Sequence, residues 1–205
     1  MRQPSVQAIT ESDLLAAREV FQRHESRDLF YRTARELVGI AMSSRKTDIT
    51  VAEALGTLLQ TWNKSFYRFH AQFDEAHVQA LDDLIVKYKK HLNNWRKRSI
   101  TSVTPRDHQK INEVFTEFEK ILGPVGAAKA LHLIAPRFFP LWDRAIAKHY
   151  AVSMKKRGNN ADIYMRFMSL ASQQVSALSF EMIDEVNVLK MIDEYNYSFI
   201  TKGWT

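Results

Sequence analysis

The sequence predicts an all-α fold: a single globular bundle of about eight helices, with residues 1–205 forming one all-helical domain. Three observations carry this reading. Apolar residues recur three and four positions apart along nearly the whole chain, which gathers them on one face of a helix. Helix-start signals recur too, led by the capping box Thr50-Val51-Ala52-Glu53, where a hydroxyl reaches forward to an amide and a carboxylate reaches back. No segment alternates apolar and polar residues long enough to make a strand, and six Gly and five Pro are few for an all-β chain of many tight turns.

Taken in order, Thr10 and Ser26 read as caps. The helices behind them carry Leu14, Leu15, Val20 and Phe21, then Leu29, Phe30, Leu37 and Val38. Behind Thr50 runs a stripe of Val51, Ala54, Leu55, Leu58, Leu59, Trp62, Phe66 and Phe69. Ser99 to Val103 is β-branched but short and reads as a connection. Thr104-Pro105 opens another helix, with proline at the first helical position and Asp107 in the first turn. Its apolar face is Ile111, Val114, Phe115, Phe118, Ile121 and Leu122. Asn160 and Ser179 start two more, the first facing the core with Ile163, Phe167, Met168, Ala171, Val175 and Leu178. The longest linkers, 43–49, 98–104 and 153–160, are short, and no internal repeat is visible.

Composition narrows the function classes. Hydrophobic residues are 45% and charged residues 25%, a globular balance that excludes a disordered chain. There is no Cys, which removes disulfides, thiolate catalysis and Cys-based zinc sites. The seven His show no close metal-ligand spacing, and there is no nucleophile elbow, phosphate-binding glycine loop or dinucleotide fingerprint. Neither a metal nor a cofactor is expected. The first twenty residues are interrupted by Arg2, Glu11, Asp13, Arg18 and Glu19, and no window reaches the roughly 18 uncharged apolar residues of a membrane span. The expectation is a cytoplasmic protein with no membrane partner.

The charge is uneven. The net is +6, and the excess sits in two acid-free runs: Lys87, Lys89, Lys90, Arg96, Lys97 and Arg98, then Arg144, Lys148, Lys155, Lys156 and Arg157. The segment from Phe180 onward is acidic. Two readings fit the runs: ordinary solvated helix faces, or one phosphate-facing surface if the fold brings them together.

Residues 121–148 are the unusual part. A helix ends at Leu122, Gly123-Pro124-Val125-Gly126 follows, and a second helix begins with Ala127 and Ala128. Small residues there let backbone approach another helix or a ligand closely. Then comes Phe138-Phe139-Pro140-Leu141-Trp142-Asp143, followed by Arg144, Ile146 and Lys148. Asp143 fits two compatible roles. It is a favoured N-cap for the helix that follows, and it is a carboxylate set among apolar side chains, where its field is strong.

This segment resembles the helix-hairpin-helix element of the DNA glycosylase superfamily. Val125, Gly126 and Ala130 match its hairpin in register, with Gly123-Pro124 standing where the family has Pro-Gly. Leu58-Leu59-Gln60-Thr61 is similar to an early family helix whose polar side chains approach an extruded nucleotide, so the resemblance covers about residues 50–150. It implies a helix-hairpin-helix, glycosylase-like bundle that binds double-stranded DNA and hydrolyses the N-glycosidic bond of a modified base. Asp143 would be the catalytic carboxylate. Gly126, Lys129, Gln60, Asn63, Arg96, Lys97, Arg98, Arg144 and Lys148 would contact nucleic acid. Lyase-type members carry a nucleophilic Lys at the position of Ala128, so the resemblance implies a monofunctional enzyme. Lys129, one step on, reads as phosphate-facing or solvated, or as a nucleophile if the hairpin is re-registered. Trp62 and Phe66 could stack on a flipped base, but both also fall on the apolar stripe. The alternative is a non-catalytic helical module that binds nucleic acid or a protein.

Overall fold

Thr10 opens the first helix as its residue type demands: its hydroxyl accepts from the Asp13 amide, and the Asp13 carboxylate accepts from the Thr10 amide at 2.9 Å. A computed structural model of the protein describes residues 8–43, 47–178 and 187–205. Among the described residues every regular element is helical. They are α1 (Glu11–His24), α2 (Asp28–Ala41), α3 (Val51–Trp62), α4 (Lys64–Phe69), α5 (Glu75–Arg96), α6 (Pro105–Ile134), α7 (Arg144–His149), α8 (Ala161–Ser176) and α9 (Val188–Asn196). A 3-10 turn at Ile100–Ser102 precedes α6, and a π-helical turn at Tyr197–Lys202 follows α9. No described helix is long and apolar enough to cross a membrane.

The capping box at Thr50 forms as expected, α6 starts after Thr104 with Pro105 in its first position and Asp107 in its first turn, and 99–103 is a connection. Three sequence expectations need correction. Ser26 does not cap α2; the Glu25 carboxylate accepts from the Arg27 amide at 3.1 Å instead. The stripe from Val51 to Phe69 is two helices, broken at Asn63, and Phe69 is 67% exposed. Leu15, Leu29 and Phe30 face outward rather than into the core. Asn160 starts α8 as expected, its carbonyl accepting from the Tyr164 amide at 2.8 Å, while its side-chain amide donates to Glu119 Oε1 at 2.5 Å. The start expected at Ser179 lies outside the described residues.

One contiguous core runs through the bundle. The long α6 passes through it, and nearly all of its second half is buried. At Gly123 α6 breaks: φ is 70° and ψ is 170°, a region essentially restricted to glycine. Pro124 then starts the second half, where its missing N–H costs nothing. The expected tight turn is thus a one-residue bend. A Cβ at Gly123 would also stand 3.1 Å from the Phe66 ring. Gly123→Ala is therefore expected to lower stability by about 1–3 kcal/mol, read from urea unfolding. A loss under about 0.5 kcal/mol would mean that the bend tolerates a side chain.

A candidate acid–amine pocket

The bend aims the second half of α6 so that Lys129 enters a pocket of about 490 Å³, measured out to its mouth. Phe21 of α1, Trp62 at the end of α3, Tyr197, Leu141, Trp142 and Ile146 line it, and Glu25, Asp143 and Asp193 supply carboxyl groups.

Lys129 donates its ammonium to the main-chain oxygen of Trp62. The side chain is half-buried and lines the pocket. Burial lowers its pKa to about 8, with Asp193 and Asp143 pulling it back up. About a tenth of the side chain is therefore free amine, the nucleophilic form, at pH 7. The solvated and phosphate-facing roles weighed for Lys129 do not fit this placement.

Asp143 caps α7 as expected. One carboxylate oxygen caps α7 by accepting from the Ile146 amide at 2.8 Å, and the other accepts from the Thr201 hydroxyl at 2.7 Å. The same side chain lines the pocket. Its neighbour Trp142 is buried, and the indole N–H donates to the Pro124 carbonyl at 3.1 Å, tying the Asp143 approach to the α6 bend.

The rim is an ion pair. Arg27 grips Glu25 through Nε at 2.8 Å and Nη2 at 2.5 Å, and also donates to the Tyr197 hydroxyl at 2.8 Å. Burial pushes the Glu25 carboxyl up, but the Arg27 bonds outweigh it and hold the pKa below the usual value. Burial and then the Glu25 charge raise Tyr197 to about 12. The Trp62 indole donates to the Arg27 carbonyl at 3.1 Å, and its ring stacks on Tyr31. Beneath lies Lys190, whose ammonium sits 4.0 Å from the Phe21 ring centre and bonds Glu194 at 2.8 Å.

His132 supports the floor from α6. Its Nδ1 lies 2.7 Å from the Phe139 carbonyl, which can only accept, so Nδ1 carries the hydrogen. Nε2 is then free to accept from the Tyr31 hydroxyl at 2.9 Å. Burial lowers the pKa of this ring to about 3. No group of three or more His, Asp or Glu among the described residues is arranged to hold a metal.

The other sequence-selected residues are scattered. Gly126 and Asn63 are buried against each other: a Cβ on Gly126 would stand 2.5 Å from Asn63 Nδ2, and that amide donates to the Leu122 carbonyl at 3.1 Å. The close approach at Gly126 is thus to another helix end, and neither residue is open to a phosphate. Gln60 is exposed and does not line the pocket. Arg96 is spent partly on the Ile134 carbonyl at 3.0 Å, and Arg98 holds Asp107 through two nitrogens. Lys97, Arg144 and Lys148 are exposed. No residue of the Lys87–Arg98 run lines the pocket.

Sequence reasoning missed Glu25, Arg27, Asp193 and Tyr197. Only Asp193 left a trace: with Lys190 it interrupts the mainly apolar run Val188-Leu189-Lys190-Met191-Ile192-Asp193. Fold and site together define an all-helical bundle, among the described residues, with a pocket lined by aromatic side chains, an amine and three carboxyl groups. No protein-family model, curated protein or solved structure matches the chain.

Proposed function

We propose that this protein binds double-stranded DNA and cleaves the N-glycosidic bond of a base turned out of the duplex into the acid–amine pocket. The observation that supports this most is that Asp143 and Lys129 share one pocket walled by Trp62, Trp142 and Tyr197. A base leaving its sugar puts positive charge on the sugar ring. A fixed carboxylate in a partly dry site stabilises that charge more than water does. Aromatic walls suit the flat faces of an extruded base. Exposed Arg144 and Lys148, on the helix that Asp143 caps, and exposed Lys97 are the cations available for backbone phosphates.

The placement of Lys129 favours a second route in the same pocket. Its free amine forms a bond to the sugar C1′ as the bond from C1′ to the base breaks. The base departs with the electron pair and takes up a proton. The attacking nitrogen loses its proton, and opening of the sugar ring leaves an imine. Borohydride would reduce that imine to a stable adduct.

A screen of duplexes carrying different damaged bases tests both routes. Asparagine caps a helix about as well as aspartate, so Asp143→Asn keeps α7 and removes only the charge. Excision is expected to slow by roughly 10²–10³-fold. Excision that survives the substitution would remove Asp143 from the chemistry. A borohydride-trapped adduct lost in Lys129→Met would assign the amine route. Salt-sensitive DNA binding without excision would leave a non-catalytic binding module, and no DNA retention at low salt would overturn the whole reading.

A further inference from the structure

Asp193 is the one pocket carboxyl that makes no hydrogen bond or ion pair among the described residues, yet the residue is only 7% exposed. Asp143 is satisfied by Ile146 and Thr201, and Glu25 by Arg27. A buried polar group without a partner carries a free-energy cost that a bound ligand can remove.

We propose that Asp193 is the recognition group of this pocket and that it pairs with an amidine-type edge of a flat nitrogen heterocycle. Such an edge is a ring nitrogen beside an exocyclic amino group, as in adenine- or cytosine-type rings. A carboxylic acid matches it with two bonds: the O–H donates to the ring nitrogen, and the other oxygen accepts from the amino group. The choice of a base-like ring rests on the proposed function; the pairing itself rests on the orphaned carboxyl and the aromatic walls.

The protonated form is accessible. Burial raises Asp193 to about 7; Lys190 opposes this, and Glu194 and Asp143 reinforce it. The charged and titratable groups around the pocket are Lys190 and Glu194 on α9, Lys129 on α6, Asp143 before α7, and the Glu25–Arg27–Tyr197 cluster. One proton must be shared in the complex, by the acid or by the ring. Binding therefore weakens as pH rises past the point where Asp193 ionises.

The probe is free 2-aminopurine, which has such an edge and whose fluorescence reports stacking on half-buried Trp62. Binding is expected to be at least about tenfold weaker near pH 8.5 than near pH 6, given tenfold per unit above the pKa. Asp193→Asn keeps one donor and one acceptor, so binding should persist with that pH dependence flattened. Asp193→Leu should abolish it, with circular dichroism confirming the fold. Purine lacking the amino group should bind at least tenfold more weakly. The proposal is overturned if folded protein leaves 2-aminopurine unquenched at millimolar concentration across this range. It is equally overturned if binding strengthens with pH, or if the Asn variant keeps the full pH dependence. Excision without ring binding would sink this inference and spare the proposed function; ring binding without DNA retention would do the reverse.

Discussion

Trp142→Ala is expected to lower the stability of the protein by about 3–5 kcal/mol, the range for removing a fully buried large aromatic side chain. The indole lies 5.0 Å from the Tyr164 ring and 5.6 Å from the Phe167 ring, centre to centre, with Phe115 at 6.1 Å. Truncation leaves a cavity among three rings that cannot all collapse into it. It also removes the indole donor to the Pro124 carbonyl, so the segment that delivers Asp143 loses its tie to the bend. Trp142→Phe keeps most of the packing but not the N–H, and should cost about 1–3 kcal/mol. Guanidinium unfolding of the two variants checks the order. Equal losses would mean that the hydrogen bond, not the packing, carries the effect.

Asp193→Asn is expected to change how stability depends on pH. In the folded protein His132 has a pKa of about 3 against an ordinary 6.5, so the unfolded chain takes up more protons. The His132 contribution is present above 6.5 and is lost as pH falls toward 3. Asp193 runs the other way. Its folded pKa of about 7 lies above the ordinary 3.8, so its contribution is present at low pH and is lost as pH rises from about 4 to 7. Across the shared window the two slopes oppose each other. Asparagine at 193 leaves His132 uncompensated, with a slope of about 1.4 kcal/mol per pH unit. The stability difference between variant and wild type should therefore shift by about 3–4 kcal/mol between pH 4 and pH 7, the variant gaining at the higher pH. Urea unfolding of both proteins at the two pH values measures it, and parallel curves would show that Asp193 is not held protonated.

What the sequence made legible was local. Three capping boxes, at Thr10, Thr50 and Thr104, involve residues three apart, so their chemistry is written in adjacent letters. The apolar face of α6 and that of α8 are read by the same short-range periodicity, and the residues named on them are buried apart from half-buried Ile121. What failed was long-range. The break at Asn63 is fixed by a bond to Leu122, 59 residues away, and nothing near Asn63 announces it. Leu29 looked like a core residue by type, yet is 53% exposed, because which side of α2 meets the core is set by the helices packed on it.

The site divides the same way. Asp143 and Lys129 stand out in the unusual stretch 121–148, and both line the pocket. Arg96 and Arg98 also stood out, as members of a basic run, but their partners Ile134 and Asp107 become visible only in three dimensions. The acids of α9 registered only as part of an acidic segment from Phe180 onward. They are buried because that helix is covered on nearly all sides, which brings Lys190 among the Phe21, Tyr31 and Trp62 rings.

The hydroxyl of Thr201 that secures Asp143 lies 58 residues further along the chain. At roughly 5–20 residues per second, a ribosome needs about 3–12 s to cover that stretch. Through that interval the nascent polypeptide already displays its amine and its first acid, but in water, without the closing helix that makes them a chamber.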